Sequence, residues 1–121
     1  MSKDLIFNLK HKWFKEFEDG FKNYEFREIK PHWQKRLCKH YNKNCSLCSK
    51  SKCEICIDFL PIRYGRIILK DGYPSNNDKK KILTRRYIGA SINKIRQDDL
   101  AEKEMIGKYC FIIPCMYNMT E

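Results

Sequence analysis

Four cysteines are spaced to hold one metal ion. Cys45-Ser46-Leu47-Cys48 and Cys53-Glu54-Ile55-Cys56 are two C-x-x-C pairs separated by four residues. A C-x-x-C turn points two thiolates at one ion, and two such turns complete a tetrahedral shell around Zn²⁺. Lys50 and Lys52 lie between the pairs, where their charge offsets that of the thiolates and favours thiolate over thiol. The gap is shorter than the roughly 15–20 residues of common zinc ribbons, so the spacing predicts a compact zinc loop. Four protein ligands leave no open coordination position, which makes such a site structural and not catalytic. Cys38 and His40 stand nearby as substitute ligands, and free thiols or a redox pair are the competing reading. Cys110 and Cys115 sit in or just after an apolar run and are expected to be small buried side chains.

A second group of reactive side chains lies in Gly20-Phe21-Lys22-Asn23-Tyr24-Glu25-Phe26-Arg27, which reads G-x-K-x-x-E-x-R. Lys22 and Arg27 can donate to a phosphate or a base edge, while Glu25 orients one of them or accepts from an exocyclic amine. In a hydrolytic site Lys22 or Glu25 would be the general base and Arg27 would stabilise developing phosphoryl charge. Taken alone, the residues favour a plainer arrangement. Glu25 and Arg27 are i, i+2 on one strand face and form an ordinary ion pair, with Lys22 solvated after a turn.

The chain is basic, with 25 Lys and Arg against 15 Asp and Glu and a net charge of +10. That balance fits a polyanionic partner, chiefly nucleic acid. Lys30, Lys35, Arg36, Lys39, Lys43, Lys50 and Lys52 fall in a stretch with no acidic residue between positions 29 and 53. Trp33 and Tyr41 interleave with them as platforms on which bases can stack. Lys79, Lys80, Lys81, Arg85 and Arg86 form a second cluster. The bland counterpart is a solvated helix face and a surface loop, with Trp33 packed inward.

These side chains need elements to position them. Alternation of Leu5, Phe7 and Leu9 with polar neighbours predicts a half-buried strand. Trp13, Phe14 and Phe17 share a helical face over Lys12 to Asp19, and Gly20 ends that helix. A strand follows from Tyr24, with Glu25 and Arg27 on one face and Phe26 on the other. Pro31 opens a second helix that runs through Trp33, Arg36, Leu37 and His40. Residues 41–57 form a Cys-rich insert with little hydrophobic periodicity. Strands are expected at Arg66 to Leu69, over Tyr87 to Ile95 with Gly89 as a bulge, and at Lys108 to Ile113 before Pro114. Residues 71–78 are turn formers, and Asp98 to Met105 has room for one or two helical turns.

One domain suits 121 residues. No apolar run approaches the roughly 20 residues of a membrane helix, and Met1-Ser2-Lys3-Asp4 opens no signal-peptide core. The reading is an intracellular protein without membrane association, in which cysteines are metal ligands or free thiols before disulfides. The element order predicts an α+β fold, a small β-barrel of five or six strands with two or three short helices and a zinc-binding loop.

With this layout, Gly20, Lys22, Glu25 and Arg27 match the hallmark of the ASCH family, which the chain resembles. That family's small barrel is similar to the PUA RNA-binding domain. The run Glu28-Ile29-Lys30-Pro31-His32-Trp33 and the loop Asp71-Gly72-Tyr73 are similar to a phage-associated branch of it. The resemblance spans roughly residues 5–37 and 64–113 and leaves out the cysteine insert. It implies a cleft lined by Lys22, Glu25 and Arg27 and a link to RNA or modified nucleosides. Amidohydrolase members use a Lys as base and a Thr three residues later as nucleophile. Lys22 matches that Lys, but Glu25 stands at the Thr position, a departure from the hydrolase pattern. The leading expectation is an RNA- or nucleotide-binding domain that contacts its ligand through Lys22, Arg27, Lys30, Trp33, Lys35, Arg36, Lys39, Arg85 and Arg86. The alternatives are a ribonuclease or nucleoside-processing hydrolase on Lys22, Glu25 and Arg27, and a protein-binding or inhibitory module of phage type.

Overall fold

The computed structural model describes residues 3–75 and 77–117. It is α+β, with six strands in two three-stranded sheets and three α-helices. The chain divides into two compact units interleaved in sequence. Among the described residues, one comprises 3–24, 63–75, 77–88 and 114–117; the other comprises 25–62 and 89–113.

The first unit is built on β1 (Asp4–Leu9), β3 (Arg66–Asp71) and β4 (Ile82–Arg86). β1 pairs parallel with β3, Asp4 opposite Arg66 and Leu9 opposite Asp71, and β3 pairs antiparallel with β4. The alternation of β1 is realised residue by residue: Leu5, Phe7 and Leu9 are buried and the residues between them are exposed. Helix α1 (His11–Glu18) packs Phe14 and Phe17 inward. Fully burying each such side chain contributes about 1.5–3 kcal/mol. Gly20 follows α1 at φ +84°, the left-handed region that only glycine enters without strain, and its N–H returns to the Phe17 carbonyl at 3.2 Å. A Cβ there would also stand 3.4 Å from the Tyr117 ring.

The second unit carries a sheet in the order β2 (Tyr24–Glu28), β6 (Tyr109–Pro114), β5 (Ser91–Lys94), with β5 and β6 antiparallel. Phe26, Ile95 and Cys110 form its buried centre, against Ala101, Met105, Ile106 and Ile112. Helix α2 (Pro31–Leu37) starts on proline, as expected, and buries Gln34 and Leu37. It stops at Leu37 instead of reaching His40, because Cys38 turns extended and bridges to Pro61. Lys39 N–H to Leu60 O at 2.7 Å and Ile62 N–H to Leu37 O at 2.9 Å close the same neck. The cysteine insert between them contains the four-residue helix α3 (Ser46–Ser49) and a 3-10 turn, Cys53–Ile55.

Two further expectations need correction. The long strand over Tyr87 to Ile95 is absent; β4 ends at Arg86 and β5 begins at Ser91, with Gly89 at φ +127° between them. The expected helical turns over Asp98 to Met105 reduce to one 3-10 turn, Lys103–Met105. Hydrogen-bonded closure of the six strands into one barrel is not detected among the described residues. No helix among them is long and apolar enough to cross a membrane.

Candidate nucleic-acid interface and cysteine cluster

β2 brings Glu25 and Arg27 together. Arg27 Nε donates to Glu25 Oε2 at 2.9 Å, and Nη2 of the same guanidinium lies 2.5 Å from that oxygen. Glu25 is buried and Arg27 is only part-exposed, so water screens the pair less than it screens a surface bridge. The ion pair is the plainer arrangement expected from i, i+2 spacing, placed at a buried position.

α2 then carries Trp33 to Arg27. The guanidinium carbon of Arg27 is 4.7 Å from the Trp33 ring centroid, and that of Arg36 is 6.0 Å away. Arg36 is itself fixed, donating from Nη1 to the His32 carbonyl at 2.8 Å, and the His32 ring meets Trp33 edge-on at 4.9 Å. Trp33 is therefore neither free nor fully in the core. It is a half-buried ring with two guanidinium groups over it. Lys30, Lys35, Arg36 and Lys39 are exposed positions in and beside α2, Lys30 with Glu28 3.6 Å away. Such a layered aromatic–guanidinium surface can stack a base and hold phosphates beside it.

Lys22 belongs to the other unit. It is 3% exposed, with Nζ 4.8 Å from the Trp13 ring centroid and 5.3 Å from that of Phe17. Trp13 also has Lys12 Nζ over it at 4.4 Å. Trp13 was legible only as a helix-face aromatic; its pairing with Lys22 needed the Gly20 reversal, which the sequence does show.

Arg85 departs from the expected basic surface. It is 3% exposed, donating to the Phe17 carbonyl at 3.3 Å and the Thr84 carbonyl at 3.0 Å, with the Tyr117 ring 5.7 Å away. Burial pushes its pKa down from the ordinary arginine range. Arg86, next along β4, is exposed. A separate basic surface lies on the exposed face of the first unit's sheet, where Arg66, Lys70 and Lys79 line a groove of 560 Å³.

Comparison with family models, with curated proteins and with solved structures finds no match to this chain.

The seven cysteines are all free thiols. Cys110 and Cys115 are buried at 1% and 0% exposure, as expected of small core residues. Cys38, Cys48, Cys53 and Cys56 line one small cavity together with His40, Tyr41, Asp58 and Phe59. Tyr41 thus faces the cysteines. The Sγ atoms of Cys38 and Cys53 are 3.8 Å apart. Burial raises the Cys38 thiol, and neighbouring Cys53 raises it further. Cys45 is half-exposed at the start of α3, where the backbone N–H groups of Cys48 and Leu47 hold its thiol below the usual range. As the side chains stand, no three metal-binding groups are gathered closely enough to hold an ion among the described residues.

Proposed function

We propose that this chain is an ASCH-like, PUA-type domain that binds RNA or a nucleotide-like ligand, with its cysteine insert organised by one structural Zn²⁺. The carrying observation is the Arg27–Trp33–Arg36 layer, which Glu25 orients through its buried ion pair with Arg27. A guanidinium close over an indole ring offers an extended planar surface on which a base can stack, and its remaining N–H donors can meet a phosphate. Lys30, Lys35, Arg36 and Lys39 supply the exposed positive charge that attracts the backbone. The closed barrel belongs to the same proposal, beyond the six strands and α+β class described above. Lys22 serves the first unit by covering Trp13 and Phe17 with its buried side chain.

Photo-crosslinking of single-stranded RNA to the whole protein, followed by peptide mapping, tests this reading. The crosslinked peptide is expected to contain Trp33. Crosslinks confined to other segments, or none at low salt, would overturn it.

A further inference from the structure

We propose that Cys38, Cys48, Cys53 and Cys56 are the four thiolate ligands of a structural zinc ion and that Cys45 lies outside the ligand set. The inference rests on the reading of the insert as a zinc loop and changes which residues hold the ion.

Three observations carry it. First, the cavity of about 10 Å³ among the cysteines, room for one water-sized sphere, is lined by these four, with His40 beside them, and not by Cys45. Second, Cys38 and Cys53 are separated by 3.8 Å between sulfurs. Zn–S bonds of about 2.3 Å in a tetrahedron put two ligand sulfurs about 3.8 Å apart, so this pair already spans one tetrahedral edge. Third, Gln34 supplies an outer contact. It is 0% exposed, and its Nε2 donates to Cys53 Sγ at 3.0 Å and to the Cys48 carbonyl at 3.1 Å. The Asn42 N–H adds a donor 3.5 Å from Cys48 Sγ. N–H groups aimed at sulfur stabilise thiolate and orient it, the role supporting contacts play around bound metals.

Zinc binding would then require the Cys48 and Cys56 sulfurs to close on the edge that Cys38 and Cys53 define. The choice of Cys38 has a structural consequence. Ligands from Cys45 to Cys56 alone would staple a loop to itself. Cys38 caps α2 and bridges Pro61, so a metal bound there ties the insert to the helix that carries Trp33.

The test uses the full reduced chain, loaded with zinc or cobalt(II). The wild type is expected to bind one metal, and its cobalt form to show the intense sulfur charge-transfer bands of four thiolates. Cys45→Ser is expected to keep both. Cys38→Ser is expected to lose affinity by more than the roughly 10- to 100-fold that loss of a supporting contact costs, and to show a weaker charge-transfer spectrum. A second measurement avoids any folding defect in a variant. In the zinc-loaded wild type, alkylation is expected to modify Cys45 while the metal stays bound. Metal release on Cys45 modification, or retention by Cys38→Ser with loss by Cys45→Ser, would overturn the ligand set. A wild type that binds no metal would instead remove the zinc reading itself.

Discussion

Glu25 Oε2 faces two nitrogens of Arg27, at 2.9 Å from Nε and 2.5 Å from Nη2, and so fixes the plane of a guanidinium that lies over Trp33. The carboxylate is buried, and removing it takes away one acceptor of a part-buried cation. Glu25→Ala is therefore expected to destabilise the fold by about 1–3 kcal/mol. Denaturant unfolding measures this, with Glu25→Gln losing less because it keeps an acceptor. An unchanged midpoint for Glu25→Ala would show that the pair holds nothing in place.

Trp33→Ala removes the surface on which Arg27 and Arg36 lie. Loss of a stacked base costs about 1–3 kcal/mol, so RNA affinity is expected to fall roughly five- to 150-fold. Lys70→Ala, in the basic groove of the first unit's sheet, is the matched control and should leave affinity nearly unchanged. The reverse ranking in a binding titration would move the interface to that groove.

Arg85 and Arg86 are neighbours with opposite fates. Arg85→Ala empties a buried site and leaves the Phe17 carbonyl without its guanidinium donor, so a loss of about 2 kcal/mol or more is expected. Arg86→Ala, at an exposed position, should shift stability by less than about 0.5 kcal/mol. Thermal unfolding of the two variants gives the comparison, and equal effects would contradict the burial of Arg85.

Much of this layout was legible in the residues, and the failures have physical causes. β1, α1, β2 and the proline start of α2 followed from period-2 and helical spacing with Gly20 as the stop. β4 was hidden because its sequence, Ile82-Leu83-Thr84-Arg85-Arg86, looks like a charged loop end. Only tertiary placement shows that one of those arginines points inward. The Tyr87 to Ile95 run looked continuous because β-branched and aromatic residues flank Gly89, whose positive φ breaks it. At the cysteines, local spacing pointed to Cys45. Cys38 comes into range through the pairing of Cys38 with Pro61, a contact across 23 residues of chain that no local pattern encodes.

Tyr87 gives a pH signature. Burial pushes its phenol up to about 12, and its ring meets that of Tyr64 at 5.4 Å. The unfolded chain releases this proton near pH 10, so the folded state holds more protons between those values. The stabilisation is complete below pH 10 and is lost as pH rises from about 10 to 12. Tyr87→Phe is expected to flatten that fall in equilibrium unfolding measured across the window. An identical slope in the variant would assign the alkaline loss to other groups.

Salt dependence of binding to single-stranded RNA tests the Trp33 surface as a nucleic-acid interface. Four exposed cations, Lys30, Lys35, Arg36 and Lys39, lie in and beside the helix that carries Trp33. If each neutralises one phosphate, log K should fall against log salt with a slope of about −3. The slope should become shallower by about 0.7 in Lys35→Ala. Binding that is absent at low salt, or unaffected by salt and by Trp33→Ala, would contradict the account.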